Sequence, residues 1–150
     1  MMYGARLLVG LALVWTAALF AAPAAIASPD RTLSQTASLV YLAGGIVCHQ
    51  RPERSFTEHG HPLPVCARCT GLYVSAVIGG VLALAAGRRQ LDRASARWIL
   101  GVASVPTAAT WLAEAAGLAH PSNMVRSVAA LSLGAAAAWV VVTVTANDRV

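Results

Sequence analysis

The sequence predicts an all-α integral membrane protein: a bundle of three or four membrane-crossing helices with a short amphipathic helix and one loop carrying cysteines and histidines. Three observations lead there. Of 150 residues, 57% are hydrophobic and only 11% are charged, against about 45–50% and about 25% in ordinary soluble domains. Mean hydropathy is +0.64. The charges that exist punctuate apolar runs instead of coating a surface. So little charge argues against a water-soluble enzyme of this length, and so apolar a chain is not the polar kind that stays disordered. Every basic residue is Arg, and the formal net charge is +5. Because these arginines separate apolar segments, they read as membrane topology and not as a phosphate-binding stripe. The expected partner is the lipid bilayer, with no nucleic acid.

The first apolar run, Leu7–Ala27, is broken only by Thr16 and Pro23 and is long enough for a hydrocarbon core of about 30 Å. It also fits a secretory signal. Arg6 supplies the positive start, Leu7–Phe20 the apolar centre, and Ala25-Ile26-Ala27 a small-residue cleavage pattern before Ser28-Pro29-Asp30. Residues 1–27 are therefore a retained helix or a signal peptide, and 28–150 form the bundle domain. Within it, 28–70 is the polar or amphipathic Cys/His segment. Gly71–Gly87, Trp98–Ala119 and Val125–Ala146 are the crossing runs. Lipid offers no water to backbone groups, so each should be helix.

Leu33–Val47 mixes apolar Leu39, Val40, Leu42, Ile46 and Val47 with Ser34, Gln35, Thr36 and Ser38. As a helix it reaches about 20–25 Å. That suits a surface-lying helix better than a crossing. In the next run Gly71, Ser75, Gly79, Ala83 and Gly87 recur every fourth position, and Ala130, Gly134 and Ala138 repeat the pattern later. Such spacing lines small residues along one helical face, where a neighbour's backbone packs closely.

If Leu33–Val47 does not cross, the Arg88/Arg89/Arg93/Arg97 connection lies on the same side as the N-terminus. The positive-inside rule makes that side cytoplasmic. A multi-pass protein of the cell membrane results, with its Cys/His segment extracytoplasmic.

All three cysteines and three of the four histidines fall between Cys48 and Cys69. Two thiols separated by two residues, Cys66 and Cys69, hold one tetrahedral ion without strain, as in structural zinc sites. Cys48 offers a third thiolate, and His49 or a later histidine a fourth ligand. An odd cysteine count cannot pair fully into disulfides. His59 and His61 sit in a Gly/Pro-bracketed turn and read as solvated; His120, before Pro121, reads as a helix-end residue. A redox reading competes. Cys66 and Cys69 precede an uncharged helix whose N-terminus favours thiolate, so a membrane-embedded dithiol exchanging electrons with a quinone or partner thiols is the alternative. Haem is not expected, because Thr70 and not His follows the C-x-x-C pair.

These residues resemble a family of small predicted membrane proteins of bacteria and archaea, a domain of unknown function. The likeness lies in Cys48-His49-Gln50, Arg54-Ser55-Phe56, Gly60, Leu63-Pro64-Val65-Cys66-Ala67-Arg68-Cys69-Thr70-Gly71 and Tyr73, and it runs over about Val40 to Gly134. Pro106 and Ser122-Asn123-Met124-Val125-Arg126 resemble further family stretches. Where the family tends to carry Asp-Gly and Gln, this chain has Thr110-Trp111 and Glu114. The resemblance implies an integral membrane location and no particular reaction.

Antiparallel connectivity places the membrane side of each helix end. Cys48, His49, the C-x-x-C pair, Glu114 and Arg126 should converge on one face whichever way the chain is inserted. An acid or arginine within an apolar helix is costly unless paired. Glu114 and Arg126 flank a short turn and are expected to form an ion bridge, with Glu114 as a partner of the site or a proton carrier as the functional reading. Arg51, Arg54 and Arg68 lie beside the thiols, placed to stabilise thiolates or receive an anion. Thiolates favour zinc among common ions, with iron or copper as alternatives. A closed four-ligand site is structural, whereas an open one could activate water with Glu114 as base. The non-enzymatic reading is preferred, since one buried Glu offers too few acid/base groups for hydrolysis.

Overall fold

The computed structural model describes residues 2–87 and 91–147. Five helices follow in order: α1 (Met2–Ile26), α2 (Arg31–Val47), α3 (Ala67–Ala85), α4 (Arg93–Ala115) and α5 (Asn123–Asn147). Between α2 and α3 lie a 3-10 turn, Pro52–Arg54, and a two-stranded hairpin of β1 (Thr57–Glu58) and β2 (His61–Pro62). Arg88 and Arg89 of the predicted arginine connection lie outside the described residues.

Among the described residues, three helices are long and apolar enough to cross a membrane: Tyr3–Ile26, Ala67–Ala85 and Asn123–Ala146. The α4 helix is long as well but is not among them. Two hydrogen bonds tie it to α5. Thr107 Oγ1 donates to the Ala129 carbonyl at 2.8 Å, and Ser132 Oγ of α5 donates to the Ala103 carbonyl at 2.8 Å. The amphipathic α2 is likewise not among the three candidates. Asp30 caps its start by accepting from the Thr32 and Leu33 amides.

Two helix ends differ from their predicted limits for one reason. Gly87 and Gly117 adopt φ of 71° and 69°, the left-handed conformation that glycine supplies at low cost. After Gly117 turns, the Gly117 and Leu118 amides reach back to the carbonyls of Glu114 and Ala113. This Schellman closure ends α4 at Ala115 and not Ala119. The α3 helix begins at Ala67, four residues before the predicted start, which puts Cys69 in its first turn.

The bundle is packed with small residues inside and large ones outside. Gly71, Ser75, Gly79 and Ala83 of α3 are buried, as are Ala130 and Gly134 of α5. A Cβ added at Gly71 would strike the Ser127 carbonyl, and one at Gly79 the Ala135 carbonyl. Hence α3 and α5 run parallel with their backbones in contact, as the fourfold spacing predicts. Leu7, Leu11, Ile78, Val102 and Val141 point outward, as lipid-facing side chains do. Antiparallel to this pair, α1 packs along it, with Ala5, Ala83, Val142 and Ala146 forming one buried cluster at the end remote from the cysteines.

At 25 residues, α1 is about 37 Å long, and α3 with 19 residues about 28 Å. The excess of α1 carries Leu19, Ala22 and Pro23, all buried. It is the post against which the loop between α2 and α3 folds as a cap.

Candidate metal centre

Three short devices shape the cap. His59 and Gly60, the two residues between β1 and β2, both take positive φ (50° and 80°), as the tight two-residue hairpin turn requires. The hairpin returns the chain so that Leu63, Pro64 and Val65 are buried against α1 and α2. Gln50 then staples this segment. Its Nε2 donates to the carbonyls of Tyr41 and Pro64, and Tyr41 Oη donates to the Pro62 carbonyl at 2.6 Å. Gly44 is required at the crossing, because an added Cβ would meet the Pro64 oxygen at 2.5 Å. Finally, Asn123 of α5 donates to the Ser55 carbonyl at 3.0 Å and fixes the loop's far side.

These devices bring the sulfurs together. Cys48 closes α2, Cys66 opens α3, and Cys69 lies in the first turn of α3. The three Sγ atoms lie within 4.8 Å of one another, and all three thiols are free. The Cys66 amide donates to Cys48 Sγ at 3.2 Å. Leu19 and Val65 bury Cys48, while Trp15 and Tyr73 pack edge to face nearby with ring centres 6.1 Å apart. The Cys69 thiol hydrogen-bonds the Cys66 sulfur and, with the Cys69 and Arg68 amides, holds the Cys66 thiol down at about 5 against the effect of burial.

The predicted site residues divide into those that meet and those that do not. Cys48, Cys66 and Cys69 form the cluster. His49 is exposed on the wall of the adjoining cavity and contributes no atom to the sulfur group. His59 and His61 lie in the hairpin and His120 in the exposed turn before α5. The thiol-exchange alternative draws no support here. Cys66 and Cys69 do not stand as an isolated dithiol but share a cluster with Cys48, and the only strands among the described residues are the two short ones of the cap.

Beside the sulfurs lies an ion network. Glu114 Oε1 accepts from Arg126 Nη2 at 2.8 Å and lies 3.1 Å from Arg54 Nη2, while Oε2 accepts from Arg68 at 3.1 Å. Arg126 Nη1 also donates to Asn123 Oδ1 at 2.8 Å. The predicted bridge between Glu114 and Arg126 is present, and Arg54 and Arg68 extend it. Three guanidinium groups thus share this one carboxylate. Sequence reasoning missed Gln50 and Asn123 as staples. The only hint was their place inside the Cys-His-Gln and Ser-x-Asn stretches.

Sulfurs and arginines face a common cavity of about 410 Å³, within the span of about 300–1,000 Å³ usual for small-molecule sites. What fold and site define is a small helical membrane protein with a stapled, tricysteine cap at one end of its bundle.

Comparison places it further. The family model described as "Predicted membrane protein (DUF2085)" matches residues 48–140, from the first cysteine through Glu114 and Arg126. The chain belongs to this family. It is 30% identical over 95 residues to an uncharacterized protein of Methanocaldococcus jannaschii, covering 63% of this chain and 61% of that protein. Over 30 residues it is 57% identical to an uncharacterized protein of Methanothermobacter thermautotrophicus, covering 20% of this chain and 27% of that one. The chain thus spans under two thirds of the length of either relative. No solved structure matches.

Proposed function

We propose that Cys48, Cys66 and Cys69 hold one zinc ion that locks the cap onto the helix bundle, and that this role is structural and not catalytic. The observation that carries the reading is the approach of three free sulfurs, from two helices and across a closed loop, to within 4.8 Å of one another. Tetrahedral zinc with bonds of about 2.3 Å sets its sulfurs about 3.8 Å apart, so the cluster needs only a small contraction. A helix N-terminus and neighbouring arginines favour the thiolate form that metal requires. His49, on the cavity wall, is the candidate fourth ligand after rotation of its side chain. With Glu114 shared by three arginines and His49 taken up as a ligand, neither is free to act as a base beside the ion, which favours the structural role over hydrolysis.

The cap faces the extracytoplasmic side in this reading. Support comes from the opposite end of the bundle, where Arg6 of α1 and Arg93 and Arg97 of α4 gather as the positive-inside rule requires of cytoplasmic ends. Metal analysis of the full chain purified in detergent tests the main reading. About one zinc per chain is expected, and a Cys66→Ser variant should lose it. Folded wild-type protein with reduced thiols that neither carries nor takes up zinc would overturn the reading.

A further inference from the structure

Four guanidinium groups, those of Arg51, Arg54, Arg68 and Arg126, border the cavity beside the sulfurs. The single carboxylate among them, Glu114, is shared by three. Counting a divalent ion on three thiolates as one negative charge, the cavity lining keeps an excess of about two positive charges, carried by the half-exposed Arg54 and the exposed Arg51 at its rim, where they can meet an anion. Arg126 is 9% exposed. The Nε atoms of Arg68 and Arg126 are buried with no acceptor among the described residues. Guanidinium groups converging in this way match the several oxygens of a phosphate group.

A second cavity of about 340 Å³ shares a wall residue with the first. Leu72 borders both. The second lies between α1, α3 and α5, and its walls are almost wholly apolar. The register of α3 explains the shared wall. Arg68, Leu72, Ala76 and Gly80 recur every fourth position, so one helix face passes from cation to hydrocarbon within three turns. Ala76, with a single methyl on this wall, adds little bulk to the trough.

We propose that this face binds a phosphate-bearing anionic lipid, its phosphate among the arginines and an acyl chain in the trough. Charge complementarity and the shared wall at Leu72 select an amphiphile over a free anion, which would use the first cavity alone. The inference does not depend on the zinc reading, since the arginine excess and the trough exist whichever ion the sulfurs hold.

The test uses the full chain in a non-ionic detergent, titrated with dioctanoyl phosphatidylglycerol, dioctanoyl phosphatidylcholine and inorganic phosphate. Binding is followed by tryptophan fluorescence, since Trp111 borders the arginine cavity, and by native mass spectrometry. Phosphatidylglycerol should bind saturably at one per chain, with phosphatidylcholine and inorganic phosphate each weaker by about tenfold or more. Arg51→Gln alters an exposed side chain, and Ala76→Phe fills the trough. Each should weaken phosphatidylglycerol by about tenfold with helix content and zinc content unchanged. Equal affinity for the two lipids, phosphate binding as tightly as phosphatidylglycerol, or wild-type affinity in Arg51→Gln overturns the proposal.

Discussion

Arg68 Nη2 and Glu114 Oε2, 46 residues apart in the chain, lie 3.1 Å apart in space. One stands in the first turn of α3, directly between the two cysteines of the C-x-x-C pair. The other stands in the last turn of α4. Their contact joins the cysteine-bearing end of one helix to the end of the helix that returns to it. Removing the carboxylate leaves Arg68 and Arg126 buried without their counter-charge, and breaking a buried pair in this way costs about 3–5 kcal/mol. Glu114→Ala should therefore lower the melting temperature in detergent markedly, whereas Glu53→Ala, an exposed residue of the cap, should not. A melting curve unchanged by Glu114→Ala would show that the network is not stabilising.

Stripping the metal should loosen the cap and spare the bundle. With a strong chelator, amide exchange and protease sensitivity should rise over 48–66, while the α3 and α5 backbones, packed in direct contact, stay protected. Uniform loss of protection along the chain would instead mark the ion as essential to the whole fold.

In the metal-free protein Cys66 should alkylate in acid. Only the thiolate reacts, and an ordinary thiol loses reactivity as pH falls through about 8.5. With Cys66 held down at about 5, its labelling rate should stay level down to about pH 6 and fall only below that. Mass spectrometry of the labelled peptide between pH 4 and 9 measures this. Zinc added beforehand should block labelling.

Gly79→Leu should separate α3 from α5. Even a Cβ at this position strikes the Ala135 carbonyl, and the obstacle is backbone, which cannot rotate aside. Overpacking costs about 1–3 kcal/mol or more, so a loss of several degrees in melting temperature is expected. Gly101→Leu is the control, since nothing lies within 4 Å of a Cβ placed there.

The first helix should remain in the mature protein. Ala5, Leu19, Ala22 and Pro23 are buried by the rest of the chain, so cleavage after Ala27 would expose one wall of the bundle and the post of the cap. N-terminal sequencing of protein extracted from membranes should read from the start of α1; a mature end at Ser28 would assign residues 1–27 to a signal peptide.

The parts of this architecture legible in the sequence are those that periodicity and connectivity determine. Gly71, Ser75 and Gly79 mark the α3 interface because a spacing of four residues fixes a helix face regardless of context. The meeting of Cys48 with Cys66 and Glu114 with Arg126 follows from counting which ends share a side. Other features depend on side-chain reach in three dimensions, which carries no period. Arg54 crosses the cap to Glu114, Gln50 bridges two carbonyls from a residue with φ of 46°, and Asn123 holds a loop 68 residues earlier. The early end of α4 escaped because Gly117 acts as a stop only when its backbone turns left-handed, and glycine permits that without demanding it.

The placement of Glu114 also sets an order of events during synthesis. Arg54 and Arg68 leave the ribosome before the one acid that neutralises them, and at about 5–20 residues per second the 46 residues separating Arg68 from Glu114 represent a delay of roughly 2–9 s. The sulfurs can assemble in that interval, but the guanidinium groups around them stay uncompensated until α4 has threaded back. A nascent chain halted before Glu114 therefore lacks the one carboxylate that these guanidinium groups share, and completion of the fourth helix is the step that supplies it.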